Sequence, residues 1–323
     1  MMSLLRFLIR RILSGIVVLW LVSTLAFFLF FARNPEIVAR NLGGRGATSA
    51  ILAEITRNLG LNQPILTQYW HFLDRTVHGN LGVSYFSGGE PVSQIVARDL
   101  PRTASVLVGA VVLWLVVGLA VGILSATRAR SLFDRSATVG VLIGLSFPTF
   151  VLGELLLLVI YVPLNEHGFH FINTGYAPLS QGFGTWAGYM ILPWITLATV
   201  QAAVYTRLSR GSLLDTLGED YVRTARAKGL SERRVVYRHA LRGALTPVVS
   251  QLGIDIGALL GGVVVVETVF GIGGLGADAV TAISNGDLPV IIAFVLVASA
   301  FVVAANIVVD MLYAVLDPRV RIS

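Results

Sequence analysis

The sequence predicts an all-α polytopic membrane protein: six transmembrane helices with both termini in the cytoplasm. Three observations carry this. The 323-residue chain has a mean hydropathy of +0.78, with 55% hydrophobic and 13% charged side chains, whereas soluble domains run near ~25% charged. Six segments each hold the roughly 20 predominantly apolar residues that cross about 30 Å of hydrocarbon. The basic residues are distributed unevenly among the connecting segments, which sets the orientation.

The first span runs over Ile12–Ala32, behind Arg6, Arg10 and Arg11. Its apolar run is too long for the core of a signal peptide, so it reads as a retained anchor. A long first loop, residues 34–102, follows an N-terminal segment and span of residues 1–33. Within it Ala50–Leu59 and Ile65–Val77 have helical spacing, the first stopped by Gly60 and the second begun after Pro64. Val92–Leu100 suits a third short helix. The loop reads equally well as an external cap or docking surface and as a plain cover over the outer ends of the spans. Residues 103–323 form the core domain, with spans over Thr103–Thr127, Val139–Val162, Trp186–Tyr205, Leu245–Val269 and Leu288–Leu316. Residues 206–244 form a cytoplasmic loop between the fourth and fifth spans.

Arg128, Arg130 and Arg135 lie between spans two and three, nine basic residues lie from Arg207 to Arg242, and Arg319 and Arg321 close the chain. Pro163–Thr185 and Phe270–Asp287 contain no Lys or Arg. The arginines from Arg33 to Arg102 sit in a loop long enough to translocate regardless of charge. The high pI, about 10.0, thus records topology. Nucleic acid is not indicated, because no basic stripe alternates with stacking aromatics.

Composition excludes several chemistries. There is no cysteine, hence no thiolate nucleophile and no cysteine-ligated zinc. Of 24 basic residues 23 are arginine; the one lysine, Lys228, lies between Ala227 and Gly229, so the chain carries no phosphate-binding Gly-Lys-Ser/Thr loop. Gly271, Gly273 and Gly276 mimic a dinucleotide fingerprint but follow an apolar span instead of a strand, which favours a tight or re-entrant turn. His167 and His170 beside Glu166 lack a third fixed ligand and read as a solvated turn rather than a metal site. No catalytic constellation and no metal site is expected, and the chain is not expected to be an enzyme.

Four carboxylates lie at membrane depth, Glu154, Asp255, Glu267 and Asp310, with no Lys or Arg inside any span to neutralise them. Such groups must face the bundle interior, line water, reach an interface or be protonated. Glu267 and Asp310 lie near span ends and are expected to reach polar surroundings. Asp255 is central, with Gln251 one turn earlier on the same face. Gln251, Asp255 and Glu154 are therefore candidates for a translocation path, with Asp255 facing a cationic group of the cargo; a carboxylate bonded to a neighbouring helix is the equal alternative. Gly253, Gly257 and Gly261, and likewise Gly118 and Gly122, recur every four residues, a spacing that serves close packing within the bundle or a seam with a second membrane subunit.

The cytoplasmic loop is patterned. Leu213–Lys228 suits a short helix with Gly229 as its C′ residue, and Ser231 suits the cap of a second helix running through Arg238 toward Pro247. Small and mixed-charge residues on a rigid cytoplasmic helix suit docking into a partner's groove; an ordinary solvated basic loop is the bland reading.

Asp220-Tyr221-Val222-Arg223-Thr224-Ala225-Arg226-Ala227-Lys228-Gly229-Leu230-Ser231, with His239-Ala240-Leu241-Arg242 and Pro247 behind it, resembles the EAA loop of ABC importer permeases of the dipeptide/oligopeptide/nickel branch. Arg10-Arg11, Gly60-Leu61-Asn62-Gln63-Pro64 with Gln68-Tyr69, Ser146-Phe147-Pro148-Thr149-Phe150, Glu267-Thr268-Val269-Phe270 with Gly274-Leu275-Gly276, and Asn306, Asp310, Tyr313 and Asp317-Pro318-Arg319 are similar to the family's other blocks. The long first outer loop resembles that of the "B" permease of such systems. Gly273 stands where the family often has proline, and Asn34-Pro35-Glu36 replaces the more usual Gly-Asp-Pro.

The resemblance implies the type I importer permease fold in the bacterial cytoplasmic (inner) membrane, as a multi-pass subunit. It implies a second homologous permease, two ATPase subunits or one fused pair that bind ATP and magnesium, and an extracytoplasmic substrate-binding protein. The cargo it implies is a di- or oligopeptide, with a nickel chelate or another small solute as the alternative. Coupling to the ATPases would lie on Glu219, Asp220, Tyr221, Ala225, Lys228 and Gly229; the outer gate or turn would use Glu267, Gly274 and Gly276. No cofactor is expected in the chain itself. A stand-alone secondary transporter is the rival class, for which inverted repeats would be expected.

Overall fold

The structure is a computed structural model that describes residues 2–31, 35–43, 47–84 and 86–316. Ala32, Arg33 and Asn34, and the C-terminal signature Asp317-Pro318-Arg319 with Arg321, lie outside the described residues. Among the described residues six helices are long and apolar enough to cross a membrane: Arg6–Phe31, Val92–Thr127, Thr149–Glu166, Phe183–Leu217, Glu232–Phe270 and Leu288–Tyr313. The chain folds as two compact units, one built mainly on Ala104–Ile272 and the other on Ile9–Thr103 and Gly273–Ala304.

In the first unit the fourth-span helix, Phe183–Leu217, packs against Leu132–Ser146, Thr149–Leu156 and the fifth-span helix. The second span meets it through glycine. A β-carbon on Gly118 would stand 2.7 Å from Tyr205 Cβ, and one on Gly122 would stand 2.8 Å from the Thr206 carbonyl oxygen. The spacing of these two glycines therefore serves packing within the chain. Gly118→Val is expected to lower stability by about 1–3 kcal/mol through overpacking, whereas Gly140→Val, where the β-carbon meets open space, leaves it unchanged. Thermal unfolding of the detergent-solubilised protein measures both. On the fifth span Gly253 approaches the sixth, its β-carbon position 3.4 Å from Val309 Cγ1, while Gly257 and Gly261 face open space.

The third span departs from the expected continuous helix over Val139–Val162. Leu132–Ser146 ends at Phe147, which is extended (φ −95°, ψ 125°), and a new helix starts at Thr149. Pro148 is the cause: its ring disfavours helical geometry at the residue before it. Beyond the break, Leu157–Tyr161 forms a π-helical turn. Among the described residues no group of three or more metal-ligating side chains forms. His167 and His170 instead bond locally, their Nδ1 atoms 2.7 Å from Pro163 O and 2.9 Å from Asn165 Oδ1.

The second unit holds the outer loop. Ser49–Leu59 and Ile65–Val77 form as expected, Gly60 ending the first in the left-handed conformation (φ 62°) and Pro64 opening the second. Pro35–Gly43 is a further helix, and Val38, Ala39, Leu42, Ile55 and Leu61 make a small core. A two-stranded hairpin, Val83–Ser84 with Glu90–Pro91, is tied down by a Ser84 to Asp287 hydrogen bond. Val92–Leu100 is not a separate helix. It continues through Pro101 into the second span as one helix, Val92–Thr127. Pro101 removes a backbone donor without ending the helix, and Val92 and Ile95 bury their apolar face against Ala282, Val290 and Ala293.

Candidate coupling surface, transport path and outer turn

The cytoplasmic loop differs from the expected Leu213–Lys228 helix. The fourth-span helix continues to Leu217 and stops at Gly218; Glu219 is extended (φ −70°, ψ 148°) and its carbonyl accepts Val222 N and Arg223 N. A separate short helix, Asp220–Ala227, follows. Its apolar residues are few and pointed. Val222 and Ala225 are buried with Leu213, Val235, Val236, Ala240 and Ala244. Full burial of a valine contributes about 1.5–3 kcal/mol, enough to seat a two-turn helix that would be marginal alone.

The opposite face is open. Glu219, Asp220, Lys228 and Gly229 are exposed, and Tyr221 is half-exposed, its hydroxyl lying over Gly243. Burial and the Glu219 charge push the Tyr221 phenol above its ordinary value. Lys228 caps the helix and Gly229 takes the left-handed conformation (φ 75°), the expected C′ geometry. Ala225, grouped with the exposed coupling residues by sequence, faces inward instead. Ser231 stands at the start of the next helix but its side chain makes no cap bond; that helix continues through a π-helical turn, Val235–Ala240, directly into the fifth span.

Two side-chain clamps here have no sequence precedent. Arg226 donates to both carboxylate oxygens of Glu232 (3.1 and 2.7 Å) and to Leu217 O (3.3 Å), tying the short helix to both neighbours. Deeper, Asp134 is buried and accepts from Arg210 Nε (2.6 Å) and Nη2 (2.9 Å), from Arg130 N (2.8 Å) and from Ser125 Oγ. It joins the inner ends of spans two and four to the start of the third. Hydrogen bonds from Arg210, then from Ser125 and the Arg130 backbone, hold its carboxyl well below the usual carboxylate range.

Of the path candidates, Glu154 is exposed and Gln251 partly so. Asp255 is buried, 9% exposed; Gln251 Nε2 donates to its Oδ1 at 2.9 Å. Its Oδ2 and the Tyr205 hydroxyl are both buried without a hydrogen bond of standard geometry, though near enough to interact electrostatically. Glu267 is fully buried near the outer end of the fifth span. The loop after the third span folds against this end, Gly175 N donating to Phe270 O at 2.8 Å.

The outer turn forms as the glycines indicate. Gly271 closes the fifth-span helix with φ 64°, and Ile272 N returns to Glu267 O at 2.9 Å. Gly273 also has φ 64°, a conformation closed to the proline often found there, whose φ is fixed near −65°. Arg102 Nη1 holds the Gly273 carbonyl at 2.7 Å, and Thr103 Oγ1 accepts Leu275 N at 2.9 Å. Gly274 then caps a helix that the sequence reading missed, Leu275–Asn285, with Gly276 buried in its first turn. Asp278 in that turn meets Asp99, Arg98 and Arg102; burial first, then Asp99, pushes it up to about 7. A carboxyl raised in the folded state binds its proton there more tightly than in the unfolded chain. Stability is then expected to fall as pH rises from about 4 to about 7. Asp278→Asn should flatten that slope in a thermal-unfolding series, and an unchanged slope would refute the assignment.

Six apolar spans among the described residues, with a short loop helix seated by two residues and open elsewhere, mark a polytopic membrane protein. The chain belongs to the family of binding-protein-dependent transport system inner membrane components, whose family signature matches residues 118–322; the signature for the N-terminal part of such membrane components matches residues 4–107. It is 41% identical over 317 residues to a glutathione transport system permease protein of Pectobacterium atrosepticum (98% of this chain, 99% of the relative). It is 39% identical over 317 residues to that of Escherichia coli K12, with the same coverage. A probable peptide ABC transporter permease protein of Sinorhizobium fredii is 36% identical over 315 residues (98% and 99%). The chain is thus a multi-pass permease subunit of the inner membrane, and its family is a transport component and not a catalytic one.

Proposed function

We propose that the chain is one permease of a peptide importer, working beside a second homologous permease, above two ATPase subunits and below a binding protein that delivers a di- or oligopeptide. The observation that carries this is the short helix Asp220–Ala227: clamped by Arg226 and seated by Val222 and Ala225, it turns Asp220, Tyr221 and Arg223 outward on a rigid mount. A force on that face passes through Gly229 and Ser231 into a helix continuous with the fifth span. Glu219, Asp220, Tyr221, Lys228 and Gly229 are assigned to the ATPase contact, and Ala225 to seating the helix. ATP and magnesium belong to the partner subunits.

Cargo contact is assigned to Glu154 and Gln251, the open members of the path set, with Asp255 behind Gln251 as its anchor. Glu267, Gly274 and Gly276 are assigned to the outer turn. Peptide cargo is supported by relatives that carry glutathione or peptide in their names. The test is uptake of a labelled tripeptide into proteoliposomes holding the assembled system and its binding protein. Saturable uptake competed by unlabelled peptides is expected; uptake of a nickel chelate that peptides do not compete would contradict the assignment.

A further inference from the structure

We infer that the outer-loop helix Ile65–Val77 lies in the outer leaflet of the bilayer and covers a lipid surface with one of its three faces. The first face is the protein contact: Gln68, Tyr69 and Phe72 are buried, and Tyr69 and Phe72 pack on Phe27 and Phe31 of the first span with ring centroids 5.3–5.7 Å apart. The second is apolar and open. Leu66, Trp70 and Val77 follow the i, i+4, i+11 spacing of a single stripe, with Leu73 at its edge partly buried against the Phe27, Tyr69 and Phe72 cluster. Leu66 and Trp70 are each 66% exposed and Val77 is 81% exposed. The third is polar: Thr67, His71 and Asp74 repeat the same spacing, and all three are exposed.

Depth decides the occupant. The Tyr69 hydroxyl is 2.7 Å from Thr24 Oγ1, and Thr24 precedes the helix end at Phe31 by about 10 Å at 1.5 Å per residue. The helix is thereby held beside the outer part of a membrane-crossing segment. Its apolar stripe continues that segment's own lipid-facing surface: Leu21, Leu25 and Phe28 are exposed, Phe28 stacks on Tyr69 at 6.0 Å, and Tyr69 adjoins Trp70 at 5.9 Å. A half-buried amphipathic helix with tryptophan at the boundary between its apolar and polar faces is the composition of an interfacial helix.

The cysteine-free chain makes the test direct. Single cysteines at Leu66, Trp70 or Val77 are spin-labelled in the full importer, reconstituted in phosphatidylethanolamine/phosphatidylglycerol nanodiscs. Collision with oxygen and with a water-soluble nickel chelate is then measured, with Leu25→Cys as the hydrocarbon reference and Asp74→Cys as the aqueous one. Labels at the three stripe positions are expected to meet oxygen strongly and the chelate weakly, as at Leu25. Strong chelate access, as at Asp74, would overturn the inference by placing the stripe in water. Shielding from both reagents would overturn it by placing a protein partner there. Leu66→Cys and Val77→Cys retain Trp70 and decide the matter if Trp70→Cys fails to assemble.

Discussion

Gly229→Glu is expected to separate ATP hydrolysis from uptake. Gly229 sits at φ 75°, immediately behind the Lys228 cap, and a β-carbon there would meet nothing within 4 Å. The substitution thus creates no collision. Its cost is conformational: a side chain in the left-handed region costs about 1–2 kcal/mol, a factor of about 5–30 in the population of the native turn. That turn is the sole covalent link between the Asp220–Ala227 helix and the helix that becomes the fifth span. On the proposed coupling, tilting it would misdirect the push from the partner subunit. Uptake per ATP hydrolysed is expected to fall by a similar factor or more, with assembly intact. Gly229→Asn, which tolerates the left-handed region, should retain most activity. An unchanged uptake-to-hydrolysis ratio in Gly229→Glu would refute the coupling assignment.

Asp134→Ala is expected to have the second large effect. Its carboxylate gathers the Arg210 guanidinium, the Ser125 hydroxyl and the Arg130 amide. Arg130 is held at φ 65°, a strained geometry for a side-chain-bearing residue that the hydrogen bond from its backbone N–H to the Asp134 carboxylate helps to keep. Removing the carboxylate leaves Arg210, at the inner end of the fourth span, without its ion-pair partner. The expected results are a lower unfolding temperature and at least a ~10-fold loss of coupled uptake, in line with the loss of a charge-assisted bidentate pair. Asp134→Ala and Arg210→Ala should be strongly non-additive in a double-mutant cycle; additive losses would show that the pair does not act as a unit. The sign of the pH dependence is fixed by the lowered carboxyl. Its contribution is complete above the ordinary value of 3.8 and is lost as pH falls through the depressed one. Changes near neutral pH therefore leave the Asp134–Arg210 pair intact, and Asp134→Ala should remove part of the acid limb of the stability curve.

Much of the fold was legible because bilayer physics writes it in long apolar runs. The six spans and the Ile65–Val77 helix follow from composition and Pro/Gly punctuation alone. Gly229 was legible for a local reason, since a helix end that needs positive φ selects glycine. What was not legible depended on distant partners or on competing local signals. Asp134 and Arg210 are 76 residues apart in sequence, and nothing in either neighbourhood announces the other. The Arg226–Glu232 clamp spans a glycine turn, outside the i+3 and i+4 spacings by which helix pairs are recognised. Leu275–Asn285 was hidden because its leading glycines read as a turn, although Asp278 in the first turn is a helix-start signal. Ser146-Phe147-Pro148 was recognised as a motif, yet the apolar residues on either side masked the break it makes in the third span.

The most direct test of the account is transport by the purified chain in proteoliposomes, alone and then assembled with the second permease, the ATPase pair and the binding protein. The account predicts no net uptake from the chain alone, stable association with the ATPase subunits, and uptake that appears only in the full assembly with ATP. Solute movement by the chain alone, or failure to associate with any ATPase, would contradict it.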